Sequence, residues 1–211
     1  MSTSISKTRT TAIIGVMSAV AVVIYFFDFP VPLMPGFIKL DLSNIISLIT
    51  GFSVGPLAGA AVCLIKNLIH FAIKGAGTTM GIGDIFDLVT SLTFCVTASL
   101  IYKHNRTFKG AVIGSIVGVL AFTAISLPLN YYVTYPIYAK AFGGMEAIMG
   151  AYQAINADVK TLFEALCIFN VPFTFIKGVL CAIVTMMLYK PLSPIIKGGR
   201  GKSSKKEKQF A

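Results

Sequence analysis

Thr174 and Lys177 stand three residues apart in Phe169-Asn170-Val171-Pro172-Phe173-Thr174-Phe175-Ile176-Lys177-Gly178, a spacing that sets a hydroxyl and an ammonium on one helix face. Such a pair can meet one polar ligand. Leu127-Pro128-Leu129-Asn130-Tyr131-Tyr132 offers a matching group. Proline frees a carbonyl one turn back, Asn130 adds a donor and an acceptor, and the tyrosines give flat apolar surface. Both groups also read as packed proline kinks without a ligand. A third segment, Pro35-Gly36-Phe37-Ile38-Lys39-Leu40-Asp41-Leu42-Ser43-Asn44, carries a carboxylate that either caps the next helix or faces the same ligand. Together the three segments describe a pocket that is apolar and aromatic with a few polar groups, suited to a flat heterocycle bearing hydroxyls.

The other polar groups inside apolar runs are few. Lys66 and Asn67 lie in one run, Asp84 and Asp87 open another, and Glu164 opens the last; ionisable groups in such places are functional candidates by default. Lys66 reads two ways, as the partner of a carboxylate on a neighbouring helix or as a ligand contact. Asp84 and Asp87, three apart at a helix start, are explained by capping and the helix dipole. Cys63, Cys95, Cys167 and Cys181 have no short paired spacing and read as small buried hydrophobes. His70 and His104 fall on different segments, so no metal site is expected. Gly201-Lys202-Ser203 ends like a phosphate loop, but the earlier glycine that loop needs falls at Ile196. A clustered His, Asp or Glu set for catalysis is missing, so the chain is not expected to be an enzyme.

The elements that position these residues are set by composition. Of 211 residues, 55% are hydrophobic and 12% charged, with mean hydropathy +0.81. Runs of about 20 apolar residues match a hydrocarbon core ~30 Å thick. The expectation is an all-α, single-domain integral membrane bundle over residues 1–211, with a basic tail from about residue 191. Six helices are read: about 10–27, a short one within 42–54, then about 57–73, 83–102, 110–135 and 162–188. Residues 139–160 form a loop with room for a short interfacial helix. Phe26-Phe27-Asp28-Phe29-Pro30 offers no small-residue cleavage site, so the first helix is read as retained.

An even helix count puts both termini on one side. With the N-terminus inside, that side holds twelve of the eighteen basic residues, among them Lys7, Arg9, Lys103, Arg106, Lys109 and the tail; the positive-inside rule therefore predicts N-in, C-in. The pocket segments then face outward. The net charge of +10 is a topology signal, and the tail lies against anionic head groups. It has no interleaved aromatics, so no nucleic-acid partner is expected.

The motifs resemble, in order and over nearly the whole chain, the riboflavin-binding S-component of bacterial energy-coupling-factor (ECF) transporters. The resemblance is carried by Phe26-Phe27 before a proline-rich loop, Phe37-Ile38-Lys39-Leu40-Asp41-Leu42-Ser43-Asn44, Gly51-Phe52-Ser53-Val54-Gly55-Pro56-Leu57-Ala58-Gly59, Ile65-Lys66-Asn67-Leu68-Ile69-His70-Phe71 and Pro172-Phe173-Thr174-Phe175-Ile176-Lys177-Gly178. It implies a six-helix protein of the bacterial cell membrane that binds one riboflavin from outside as transported substrate, without a cofactor, under a closing first loop. It implies as partners a transmembrane coupling subunit and two ATPase subunits. The ligand-binding positions that follow are Phe37, Leu40, Asp41, Asn67, Asn130, Tyr131, Thr174 and Lys177. Two positions depart from the family pattern: Thr174 replaces an asparagine, and the Ala-x-x-x-Ala docking motif of the first helix stands as Gly15-x-x-x-Ala19. Ala12 and Val22 extend that small-residue face, which packs either on a partner or within the chain.

A stand-alone secondary transporter or facilitator of a flavin or another small vitamin is the competing reading. It would favour inverted repeats with broken helices, and the two halves of this chain show no clear repeat.

Overall fold

Residues 7–75 and 81–197 are described by the computed structural model; residues 1–6, residues 76–80 and the remainder of the basic tail lie outside them. In chain order the elements are α1 (Lys7–Phe26), a hairpin of β1 (Phe29–Pro30) and β2 (Lys39–Leu40), α2 (Asn44–Ser53), α3 (Pro56–Lys74), α4 (Ile82–His104) and α5 (Phe108–Leu129). A π-helical turn (Asn130–Thr134), α6 (Tyr135–Ala141), α7 (Met145–Gln153), α8 (Leu162–Ala165), a second π-helical turn (Leu166–Asn170) and α9 (Val171–Lys197) complete it.

Five stretches among the described residues are long and apolar enough to cross a bilayer: Lys7–Phe26, Pro56–Lys74, Ile82–His104, Phe108–Ala141 and Leu162–Tyr189. The expected sixth, α2, has ten residues and a length of about 15 Å, half a hydrocarbon core. Gly55 at φ 141° and Pro56 at the first turn of α3 end it and reverse the chain. All ten of its residues are buried, as an apolar helix must be when neighbours surround it on every side; it packs on α1, α3, α4 and α9.

Close helix approach depends on missing side chains. A Cβ on Gly59 would sit 2.9 Å from Gly51 Cα and 2.9 Å from Ser47 O, so α2 and α3 touch backbone to backbone. On α5, a Cβ at Gly114 would sit 2.6 Å from Ala98 O of α4. In a bilayer, helix association relies on this kind of small-residue packing.

Pro128 lies inside a helix, as expected, and the helix widens beyond it. Pro128 continues within α5, and the backbone widens at Asn130–Thr134, where Tyr135 N donates to Asn130 O. Val171 N likewise donates to Leu166 O in the second widened turn. Each turn precedes a proline by one residue, Pro136 and Pro172. A proline has no N–H and its ring crowds the carbonyl four residues back, here Tyr132 and Ile168, so the preceding turn opens into a π-bulge. The stretch 139–160, expected to have room for a short helix, holds α7.

Candidate functional site

At the end of the bundle opposite Lys7, Arg9, Lys103 and Lys109, the helix ends and the first loop enclose a chamber of about 670 Å³, within the usual size of small-ligand sites. Its wall takes Tyr25 from α1, His70 and Lys74 from α3, Asp84 and Asp87 from α4, Asn130 from the first π turn, Tyr135 and Tyr138 from α6, and Asn170, Phe173, Thr174 and Lys177 from the α9 side. The two π turns matter here because widening rotates the residues around them, and each brings one buried asparagine to the wall.

The floor is a charge-balanced network. Lys177 Nζ lies 2.5 Å from Asp41 Oδ2 and 3.7 Å from Asp87 Oδ1. Lys66 Nζ, fully buried, pairs with Asp87 Oδ2 at 2.9 Å and donates to Ser43 Oγ at 2.6 Å and Asn44 Oδ1 at 2.9 Å. Asp41 Oδ1 accepts from Ser43 N (3.1 Å) and Ser43 Oγ (2.5 Å). Burial alone would raise the Asp41 carboxyl, but the Lys177 and Lys66 ammoniums outweigh it and hold the group well below the ordinary carboxylate range. Lys66 is therefore paired, and of its two readings the ion pair is the one present.

The aspartates opening α4 bond side chains of α3, where capping was expected. Gly81 occupies the N-cap without a side-chain bond. Asp84 Oδ1 lies 2.5 Å from His70 Nδ1, and His70 stacks on Tyr25 with centroids 3.9 Å apart. Glu164 forms a capping box with Thr161.

The first loop closes over this floor. Phe37 stands edge-on to Tyr135, Tyr138 and Tyr152, with centroids 6.0–6.2 Å away. Asp28 holds Lys39 of the hairpin at 3.1 Å and Lys74 at the end of α3 at 3.3 Å; both lysines are substantially exposed, so these pairs contribute little.

Of the residues singled out from sequence, Phe37, Asp41, Asn130, Thr174 and Lys177 line this one chamber. Asn67, Leu40 and Tyr131 do not. Asn67 lies behind the wall, donating to Asp87 Oδ2 at 3.2 Å and Cys63 O at 2.9 Å. Leu40 pairs with Phe29 in the hairpin. Tyr131 is 38% exposed and meets Tyr132 and Phe163 on the outer face; adjacent helical residues point about 100° apart, so Tyr131 cannot share the direction of Asn130.

Sequence reasoning passed over His70, Tyr25, Tyr135 and Asn170. Asn170 had a signal: an amide inside an apolar run, two residues before a proline. It accepts from Tyr152 Oη through Oδ1 at 2.6 Å and donates from Nδ2 to Tyr135 Oη at 2.8 Å, while the two tyrosine hydroxyls bond each other. Burial pushes the Tyr152 hydroxyl well above the ordinary tyrosine value, so it stays a donor.

On α1, Ala12, Gly15 and Ala19 all point outward, and a Cβ on Gly15 would meet nothing within 4 Å. Val22 is buried, so the small face runs on through exposed Val16 and Val23, and Val22 is no part of it.

The sequence profile of the ECF transporter substrate-specific component family matches residues 9–189. The chain is 31% identical to "Riboflavin transporter RibU" of Staphylococcus aureus (strain TCH60), over 87% of this chain and 90% of that protein. It is 26% identical to "Riboflavin transporter FmnP" of Bacillus subtilis (strain 168), over 92% of this chain and 97% of that one. A solved structure described as the S component of a bacterial ECF transporter superposes with TM-score 0.71 at 29% identity, covering 91% of this chain and 99% of the other.

Proposed function

Because this chain belongs to the family of ECF transporter substrate-specific components, we propose that its chamber captures riboflavin for uptake. The observation that carries this reading is the chamber's composition. One end of the bundle joins aromatic faces (Phe37, Tyr135, Tyr138, Phe173) to directed polar groups (Asp41, Asn130, Thr174, Lys177), which suits a flat tricyclic ring with a polyhydroxy chain. Phe37 docks the first loop as a cover, Asn130 and Thr174 meet polar atoms of the ligand, and Lys177 adds a cationic donor beside Asp41.

The protein is a multi-pass subunit of the cell membrane, N-in and C-in, with α2 as a half-length sixth helix. The basic ends then lie on the cytoplasmic side and the chamber opens outward. Energy comes from two partner ATPases through a transmembrane coupling subunit, which docks on the Ala12, Gly15 and Ala19 face. The test is titration of purified protein with riboflavin: one-to-one quenching of flavin fluorescence is expected. Absence of quenching, with thiamine or biotin binding instead, overturns the assignment.

A further inference from the structure

We infer that Asn170 is a further ligand-recognition residue of the chamber, and that Tyr152 of α7 is its positioning residue. The inference rests on the riboflavin reading above. Three hydrogen bonds close a ring: Asn170 Nδ2 donates to Tyr135 Oη, Tyr135 and Tyr152 share a hydroxyl bond, and Tyr152 Oη donates to Asn170 Oδ1. With the amide oriented oxygen to Tyr152 and nitrogen to Tyr135, the ring has one consistent sense, the Tyr135 hydroxyl donating to Tyr152; turning the amide over would reverse all three bonds together. All three residues are buried, Tyr152 completely and Asn170 at 7% exposure, and cyclic hydrogen bonds in a low-dielectric setting reinforce one another.

An amide has two N–H donors and two oxygen lone pairs. The ring uses one of each and leaves one of each. Tyr152, bonded to the amide oxygen, stays out of the chamber, whereas Tyr135, bonded to the nitrogen, lines it together with Asn170. The nitrogen flank therefore faces the ligand and presents an N–H donor of fixed direction. Its complement is an acceptor oxygen or nitrogen, on the heterocycle or on the hydroxylated chain. Asn130, on the other π turn, lines the same chamber, so a ligand between the two turns is read from both sides.

The test uses full-length protein in detergent, with riboflavin and with lumiflavin, which keeps the ring and lacks the ribityl chain. Asn170→Asp is nearly isosteric but replaces the donor by an acceptor; riboflavin affinity is expected to fall at least tenfold, the scale of one lost buried hydrogen bond. Tyr152→Phe removes one hydroxyl outside the chamber, frees the amide to turn, and is expected to weaken binding about fivefold to tenfold. Loss for both flavins places the acceptor on the ring; loss for riboflavin alone places it on the chain. Either supports the inference. A Tyr152→Phe variant with a lowered melting temperature and unchanged affinity for both flavins has a structural role only, and overturns the positioning role. Unchanged affinity in Asn170→Asp overturns the recognition role while leaving the riboflavin reading intact. Failure of the unsubstituted protein to bind riboflavin overturns both.

Discussion

Lys177 Nζ and Asp41 Oδ2 lie 2.5 Å apart although 136 residues separate them in the chain. The pair joins α9 to the end of the first loop beneath the chamber, so an ammonium that lines the chamber also anchors its cover. Through Ser43 and Asp87 the same network reaches Lys66 on α3. Loop position and helix packing therefore share one set of charges, and a ligand that meets Lys177 would draw on the same set.

Lys177→Ala and Asn130→Ala are each expected to weaken riboflavin binding by about 1–3 kcal/mol, the cost of removing a buried polar partner. Tyr131→Ala should leave the affinity unchanged, because that ring faces outward against Phe163. Fluorescence titration of the three folded variants decides it; an unchanged Kd for both Lys177→Ala and Asn130→Ala would place the pocket elsewhere.

Lys66→Met should destabilise the protein by about 3–5 kcal/mol, since Asp41 and Asp87 would then share the single ammonium of Lys177, leaving one stranded carboxylate charge in the interior. Adding Asp87→Asn to Lys66→Met removes the stranded charge and should recover part of the loss. Thermal unfolding in detergent measures the coupling. Strictly additive losses would mean that the two residues do not act as a unit.

The Asp41 carboxyl gives a pH dependence of known sign. Its folded value lies below the ordinary one, so the stabilisation is complete above the ordinary carboxylate range and fades as pH falls through that range toward the folded value. The stability difference between the unsubstituted protein and Asp41→Asn should hold steady from pH 8 to about 5 and shrink below that. A difference that grows on acidification contradicts the pairing.

Much of this architecture is legible in the sequence, for physical reasons that also mark where legibility ends. Long apolar runs place the spans, and Gly55-Pro56 places the reversal that leaves α2 short, because these signals are local. Thr174 and Lys177 meet at one wall because helical spacing alone puts them there. Partner choice is not local: Lys66 was open between a carboxylate and a ligand until α4 brought Asp87 to 2.9 Å. Tyr131 lies off the chamber wall for a phase reason, one residue being enough to turn a side chain from the chamber to the outer face. From sequence, the freed carbonyl near Asn130 is ascribed to Pro128, whereas the widened turn that holds Asn130 precedes Pro136, since a proline perturbs the turn before it. Asn170 needed tertiary knowledge, because its partners come from α6 and α7.

The outward face of α1 is expected to serve a partner helix. Ala12, Gly15 and Ala19 project together away from the bundle, and the space beyond Gly15 is open, so a partner helix can approach its backbone closely. Packing within the chain, the other reading of this strip, is not what the described residues do with it. Gly15→Leu with Ala19→Leu fills the strip with side chains that meet lipid comfortably but keep another helix at a distance. The chamber takes only Tyr25 from α1, at the far end of the helix. The double variant should therefore bind riboflavin in detergent with unchanged affinity, fail to co-purify with the coupling subunit and ATPases, and lose ATP-dependent uptake in reconstituted vesicles. Loss of flavin binding would show that the strip serves the chain's own packing, and uptake that persists without any ATPase would favour a stand-alone carrier.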